Sequence, residues 1–213
     1  LGNYSEDFTN AEEINDHGTN FSSEYEAFSV KLNKKVILQV IDKKKLAKGK
    51  KKLLLRQIEN QRKILPEIGS ENIIKMYDFL ETEKSYIFVL EYFETTLSNY
   101  VNENGCFDDE PKIFLQIVRG ISNALKLLHS KQIIHRDIKP ENIFLYKTDG
   151  KIVPKLGGFF SCTYSKDNKS EQIGTLLYMA PEMIKNETYT EKCDLWSLGI
   201  TLHEIYFGLT PYG

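Results

Sequence analysis

His135-Arg136-Asp137-Ile138-Lys139-Pro140-Glu141-Asn142 gathers a carboxylate, an ammonium and an amide in one short polar stretch. It directly follows the most regular helical pattern in the chain. Ile113, Phe114, Ile117, Val118, Ile121, Ala124, Leu125 and Leu128 recur with a 3.6-residue period, with Asp108 and Asp109 ahead of them and Pro111 in the first turn. Further toward the N-terminus the periodicity changes. Tyr25, Phe28, Val30, Val36, Leu38 and Val40 alternate with polar neighbours around a turn at Asn33-Lys34, which predicts a hairpin. A Lys-rich stretch, Lys43 to Lys52, leads into Leu53, Leu54, Ile58, Ile64 and Leu65 at helical spacing, closed by Pro66 and Gly69. Ile73 to Phe79 and Tyr86 to Phe93 read as two more strands. The shift from strands to helices near residue 93 predicts two lobes joined by a short linker.

Composition narrows the function classes. With 213 residues, 41% of them hydrophobic, the chain can bury one sizeable core or two small ones. Its 28 Lys and Arg nearly balance 30 Asp and Glu, so the net charge of -2 gives no global attraction to nucleic acid or to an anionic membrane. No apolar run reaches the roughly 18 residues needed to cross a bilayer. Cys106, Cys162 and Cys193 form no CxxC pair, which fits a reducing, cytoplasmic compartment better than a disulfide or zinc framework.

Toward the C-terminus stand Gly174-Thr175-Leu176-Leu177-Tyr178-Met179-Ala180-Pro181-Glu182 and then Asp194-Leu195-Trp196-Ser197-Leu198-Gly199. Together with residues 135–142, and in this order, they resemble the catalytic loop, the end of the activation segment and the central helix of eukaryotic protein kinases of the Ser/Thr type. The resemblance runs from about residue 14 to the end of the chain. It implies an α+β, bilobal fold: an N-terminal extension over 1–13, a β-rich N-lobe over 14–92, and a mainly helical C-lobe over 93–213 that is incomplete. It implies Asp137 as the acceptor of a substrate hydroxyl proton, Lys139 as the group steadying the transferring phosphoryl, Thr175 as their hydrogen-bonding neighbour, and Asn142 as a magnesium ligand. ATP and Mg²⁺ are the implied cofactors. Nucleotide positions would fall at Gln39, Leu90, Glu91, Phe93, Phe144 and Gly158.

Several of those positions depart from the family pattern. The phosphate-gripping lysine of the third strand is replaced by Gln39, within Val36-Ile37-Leu38-Gln39, and the glutamate that pairs with it by Gln61, with Glu59 as the alternative. An amide donates a hydrogen bond but no charge. A neutral Gln39–Gln61 bond is expected to keep the helix docked. The Asp-Phe-Gly motif reads Gly158-Phe159-Phe160, and glycine offers no oxygen to a hard cation. His17, Thr19 and Ser22 stand where the three glycines of the phosphate loop belong, with Phe21 at its tip. Glu24 replaces a valine, Ile37 an alanine and Phe144 a leucine around the adenine position. The packing skeleton carries over as Leu65, Met76, His135 and Phe159. Glu171 occupies the place of a regulatory phosphothreonine, where two readings stand side by side: a carboxylate paired with Arg136, or a solvated loop glutamate.

These substitutions argue against ATP and metal binding and predict a pseudokinase acting on a protein partner. Two alternatives stand beside it. One is a slow kinase with its phosphate lysine relocated to Lys31 or Lys34; the other is a nucleotide-binding switch without turnover. No nucleic acid or membrane partner is expected, and oligomeric state is not readable.

Overall fold

The computed structural model describes residues 7–14, 22–46, 51–148, 151–168 and 171–212. The chain divides into two compact units, 1–66 with 75–93, and 67–74 with 94–213. The first unit is built on strands β1 (Phe8–Ile14), β2 (Ser22–Ser29) and β3 (Lys34–Asp42), helix α1 (Lys51–Glu67), and strands β4 (Met76–Glu81) and β5 (Ser85–Glu91). The sheet is antiparallel in the order β1-β2-β3-β5-β4. Because side chains alternate along a strand, the sheet has two chemically different faces. Phe8, Ala27, Val36, Leu38, Ile87 and Val89 pack together on one. The other carries Ile37, Gln39 and Ile41 opposite Leu90, Phe88 and Tyr86.

Helix α1 buries Leu54, Gln57, Ile58, Gln61, Ile64 and Leu65, a stripe at i, i+3, i+4 and i+7 spacing. Pro66 lies inside its last turn rather than beyond its end. The expected hairpin is present, with the turn over 30–33 and Asn33 left-handed at φ 51°. Two boundaries differ from those the sequence suggests. Residues 8–14, within and at the edge of the expected N-terminal extension, hydrogen-bond to β2 as the edge strand. The strand expected to open at Ile73 opens at Met76, because Ile73 instead forms a parallel bridge with Leu156 and belongs to the second unit.

That second unit contains β6 (Thr95–Thr96), α2 (Leu97–Asn104), α3 (Pro111–Ser130), β7 (Ile133–Ile134), β8 (Ile143–Thr148), β9 (Lys151–Leu156), β10 (Thr163–Tyr164), α4 (Pro181–Ile184) and α5 (Lys192–Phe207). Pro111 opens α3, as expected, since its missing N–H needs no partner there. Gly120 lets α3 lie close to β9, where a Cβ would overlap the Pro154 ring. Helix α5 buries Cys193, Asp194, Ser197, Leu198, Ile200, Thr201 and Ile205 and stops at left-handed Gly208, whose N–H bonds to Glu204 O. Among the described residues no helix is long and apolar enough to cross a membrane.

Candidate active site

In the second unit the loop between β7 and β8 is held from below by one carboxylate. Asp194, fully buried on α5, accepts from the backbone N–H of His135 (2.9 Å) and of Arg136 (2.8 Å). Its Oδ2 also meets His129 Nε2 at 2.8 Å. Arg136 sits at φ 70°, a left-handed conformation that costs a non-glycine residue energy and persists here because Asp194 grips its N–H. His135 is wholly buried, and burial pushes its imidazole below the usual histidine range. Its neutral ring has an assignable tautomer. Nε2 lies 2.7 Å from Gly157 O and donates to it, while Nδ1 accepts from Asp137 N–H at 3.3 Å.

The loop thereby presents its polar groups as a connected set. Thr175 Oγ1 donates to Asp137 Oδ1 at 2.7 Å and accepts from Lys139 Nζ at 2.9 Å, with Lys139 Nζ 4.0 Å from Asp137 Oδ2. Asn142 Nδ2 donates to the Asp137 carbonyl (2.7 Å) and to Asp137 Oδ2 (3.0 Å). Thus Asp137, Lys139, Thr175 and Asn142 come together as their motif positions require. Gly174 beside them has φ 121°, and a Cβ there would overlap the Arg136 carbonyl oxygen.

Gly158 is left-handed at φ 70°, and a Cβ built on it would overlap Cγ, Nδ2 and Oδ1 of Asn142. The Asn142 amide has therefore moved into the volume where a residue-158 side chain would begin. Magnesium demands about six oxygens in near-octahedral array. Here Gly158 offers no side-chain oxygen and Asn142 offers only its neutral Oδ1, its Nδ2 being bonded to Asp137. Among the described residues there is no group of three or more His, Cys, Asp or Glu arranged to hold a metal. One neutral amide oxygen from positions 142 and 158 is a poor fit to the oxygen-rich shell Mg²⁺ demands. Next to Gly158, a Cβ on Gly157 would overlap the Phe144 ring, so the larger residue at 144 and the glycine at 157 are fitted to one another. Phe159 stacks edge-on against His135 with centroids 5.1 Å apart.

Arg136 is linked to residue 171 by a chain of hydrogen bonds. Its Nε donates to Ser161 O (2.7 Å) and its Nη1 to Tyr189 Oη (3.2 Å), and Tyr189 Oη in turn donates to the backbone oxygen of Glu171 (2.8 Å). The link runs through a tyrosine to a main-chain carbonyl, because Tyr189 stands between them. It is the main-chain oxygen of Glu171 that this link holds.

In the first unit, Gln39 on β3 is the middle member of a three-residue chain. Gln61 Nε2 donates to Gln39 Oε1 at 2.8 Å, and Gln39 Nε2 donates to Glu24 Oε1 at 3.4 Å. The Gln39–Gln61 bond is the one the family resemblance implies; Glu59 instead pairs with Arg62 and Lys63 on the exposed side of α1. The bond from Gln39 to Glu24 was not foreseen, although the two residues are directly opposed in register. Burial pushes the Glu24 carboxyl up to about 7, partly offset by the Gln39 hydrogen bond. Leu90 and Phe93 are buried, and Glu91 bonds twice to Lys75, N–H to O at 2.8 Å and Oε2 from N–H at 3.2 Å. Lys31 pairs with Asp78 at 3.2 Å, and Lys34 lies over the Tyr77 ring at 4.1 Å. Lys34 is an odd number of positions from Gln39, hence on the opposite sheet face. Leu65 is buried and Met76 half-buried. His17, Thr19 and Phe21 lie outside the described residues, while Ser22 is the buried first residue of β2.

Comparison with known proteins agrees with this geometry. The family model for the protein kinase domain matches residues 17–213. The chain is 34% identical over 198 residues to the serine/threonine-protein kinase atg1 of Dictyostelium discoideum, covering 90% of this chain and 29% of that protein. It is 37% identical over 187 residues to the human serine/threonine-protein kinase ULK1, covering 83% of this chain and 17% of that protein. Against the Aurora kinase of Schizosaccharomyces pombe it is 34% identical over 179 residues, 83% of this chain and 48% of that protein. The chain thus spans less than half the length of each of these relatives. With the catalytic-loop, activation-segment and central-helix motifs assembled as their order demands, this chain belongs to the protein kinase domain family, among relatives of the Ser/Thr type.

Proposed function

We propose that this kinase-family chain is a pseudokinase that works by binding a protein partner in the reducing interior of the cell. The observation that carries the reading is the fold of the Asn142 amide onto Asp137 and into the space beside Gly158. In the family, ATP bound with Mg²⁺ supplies the phosphoryl group; this chain holds an unsuitable donor set for the metal. At the phosphate-lysine position, Gln39 is engaged by Gln61 and Glu24 and carries no charge. Losing a preorganised electrostatic contact costs about 10² to 10³ in rate, so two losses amount to roughly 10⁴ or more. Three cysteines without a disulfide fit a reducing compartment.

The test is phosphate incorporation by the intact protein with Mg²⁺ and with Mn²⁺, run beside a pull-down from its own cells. Absence of incorporation together with a specifically retained partner supports the reading. Incorporation abolished by Asp137→Ala would overturn it.

One observation favours a second reading, a slow Ser/Thr kinase. Asp137, Lys139 and Thr175 keep the mutual bonds that hydroxyl activation needs. Such a kinase would require a cation near Gln39, and Lys31 and Lys34 are engaged with Asp78 and Tyr77 instead. A metal-independent rise in melting temperature with ATP, without turnover, would point to a nucleotide-binding switch.

A further inference from the structure

The side chains of Glu24, Gln39 and Gln61 form a hydrogen-bonded line from β2 through β3 to α1, and the line has a direction. Each N–H points toward Glu24: Gln61 donates to Gln39, and Gln39 to Glu24. Glu24 and Gln61 are 7% and 2% exposed, and each ends the line with a buried oxygen that has no partner, Glu24 Oε2 and Gln61 Oε1. A buried acceptor left unpaired is costly, and Gln61 Oε1 stays unpaired for as long as Gln39 donates to Glu24 rather than to Gln61. The nitrogen and oxygen of a glutamine amide are nearly equal in size. Rotating both amides by half a turn keeps every atom's volume and reverses every bond.

We propose that Glu24, Gln39 and Gln61 form a proton-operated relay, in which one proton taken up by the Glu24 carboxylate reverses the line and changes the group that Gln61 presents on α1 from a carbonyl to an NH₂. The balance is simple. A proton from solvent joins Glu24 Oε1, which then donates to Gln39 Oε1; Gln39 Nε2 donates to Gln61 Oε1, which loses its orphan status; Gln61 Nε2 turns to where that oxygen had been. No covalent bond between residues changes.

The surroundings isolate the relay. Glu24 is opposed by Ile14 on β1 and by Gln39 on β3. The charged groups near it along the strands are Glu12 and Glu13 on β1 and Glu26 on β2, and Glu26 is paired with Lys35 of β3. On α1, Glu59 is held by Arg62 and Lys63. Burial and the Gln39 hydrogen bond are the two influences on the Glu24 carboxyl, which places its titration at about 7. The relay does not depend on whether the chain transfers phosphate.

Side-chain amide NMR on the whole chain, labelled with ¹⁵N-glutamine and with ¹³C at the Glu24 carboxyl carbon, reads it directly. The Gln39 and Gln61 signals are assigned by their loss in Gln39→Asn and Gln61→Asn. The expected result is that the Glu24 carbon and the Gln61 NH₂ protons titrate with one common midpoint near neutrality, and that the Gln61 titration vanishes in Glu24→Gln. Three results overturn the proposal: a Glu24 midpoint in the ordinary carboxylate range, a titrating Glu24 with static Gln61 protons, or a Gln61 titration that survives in Glu24→Gln. The wild-type titration decides the matter even if the variant does not fold.

Discussion

Replacing Glu24 with glutamine removes a proton-binding site at almost constant shape, and its effect on stability should depend on pH in a defined direction. The Glu24 carboxyl moves from 4.5 to about 7 on folding because burial disfavours the ion. The folded chain therefore holds this proton more tightly than the unfolded chain. By linkage, the contribution of Glu24 to stability is fully present below pH about 4.5, falls as pH rises toward 7, and levels off above. At about 1.4 kcal/mol per pH unit, the loss amounts to about 3 kcal/mol. Glu24→Gln does not titrate, so the variant should match the wild type near pH 4.5 and exceed it by about 3 kcal/mol near pH 8. In urea, with a slope of about 1 to 3 kcal/mol per molar, that gap is a midpoint difference of about 1 to 3 M at the higher pH. Other titrating groups act on both proteins alike and cancel in the comparison. A gap of equal size at both pH values would show that the substitution changes packing rather than ionisation, and would refute the argument.

Three more outcomes follow from the second unit. Gly158→Asp should fail to create a metal-dependent rise in melting temperature and should cost about 1 to 3 kcal/mol, because its Cβ meets the Asn142 amide at a left-handed φ; a rise on adding Mg²⁺ would show that Asn142 yields easily. Gly157→Ala should cost about 1 to 3 kcal/mol through overlap with the Phe144 ring, and most of that cost should disappear in a Phe144→Leu background, a coupling of about 0.5 to 3 kcal/mol in a double-mutant cycle; additive effects would separate the two positions. Asp194→Ala should lower the unfolding free energy in urea by about 3 to 5 kcal/mol, since the His135 and Arg136 N–H groups and His129 all lose one buried acceptor; a loss near zero would mean that the strained loop stands without it.

What was readable in advance has a physical pattern. The α3 helix and the β2–β3 hairpin were legible because each buries one face, and burial of one face imposes a period on the sequence. The Gln39–Gln61 bond is legible through the family resemblance, which pairs a residue of strand β3 with one on the helix ahead of the apolar pair Ile64-Leu65. Ile73 and Ile74 mislead for the same reason that the strands succeed: an apolar run marks burial, and the burial here is beside Leu156 within the second unit. The features that escaped all turn on something missing or on a neighbour distant in sequence. Residues 137–142 alone do not show that the Asn142 amide occupies the space beside Gly158, where a Cβ at 158 would overlap it. Tyr189 intercepts Arg136 from 53 residues away. Glu24 reads from sequence as a single replacement of a valine, yet its meaning lies in the register that sets it opposite Gln39. A lysine at 39 would have paired with such a carboxylate and kept it ionised; a glutamine leaves it free to take a proton, so the two substitutions have to be read as one change in the electrostatics of the sheet.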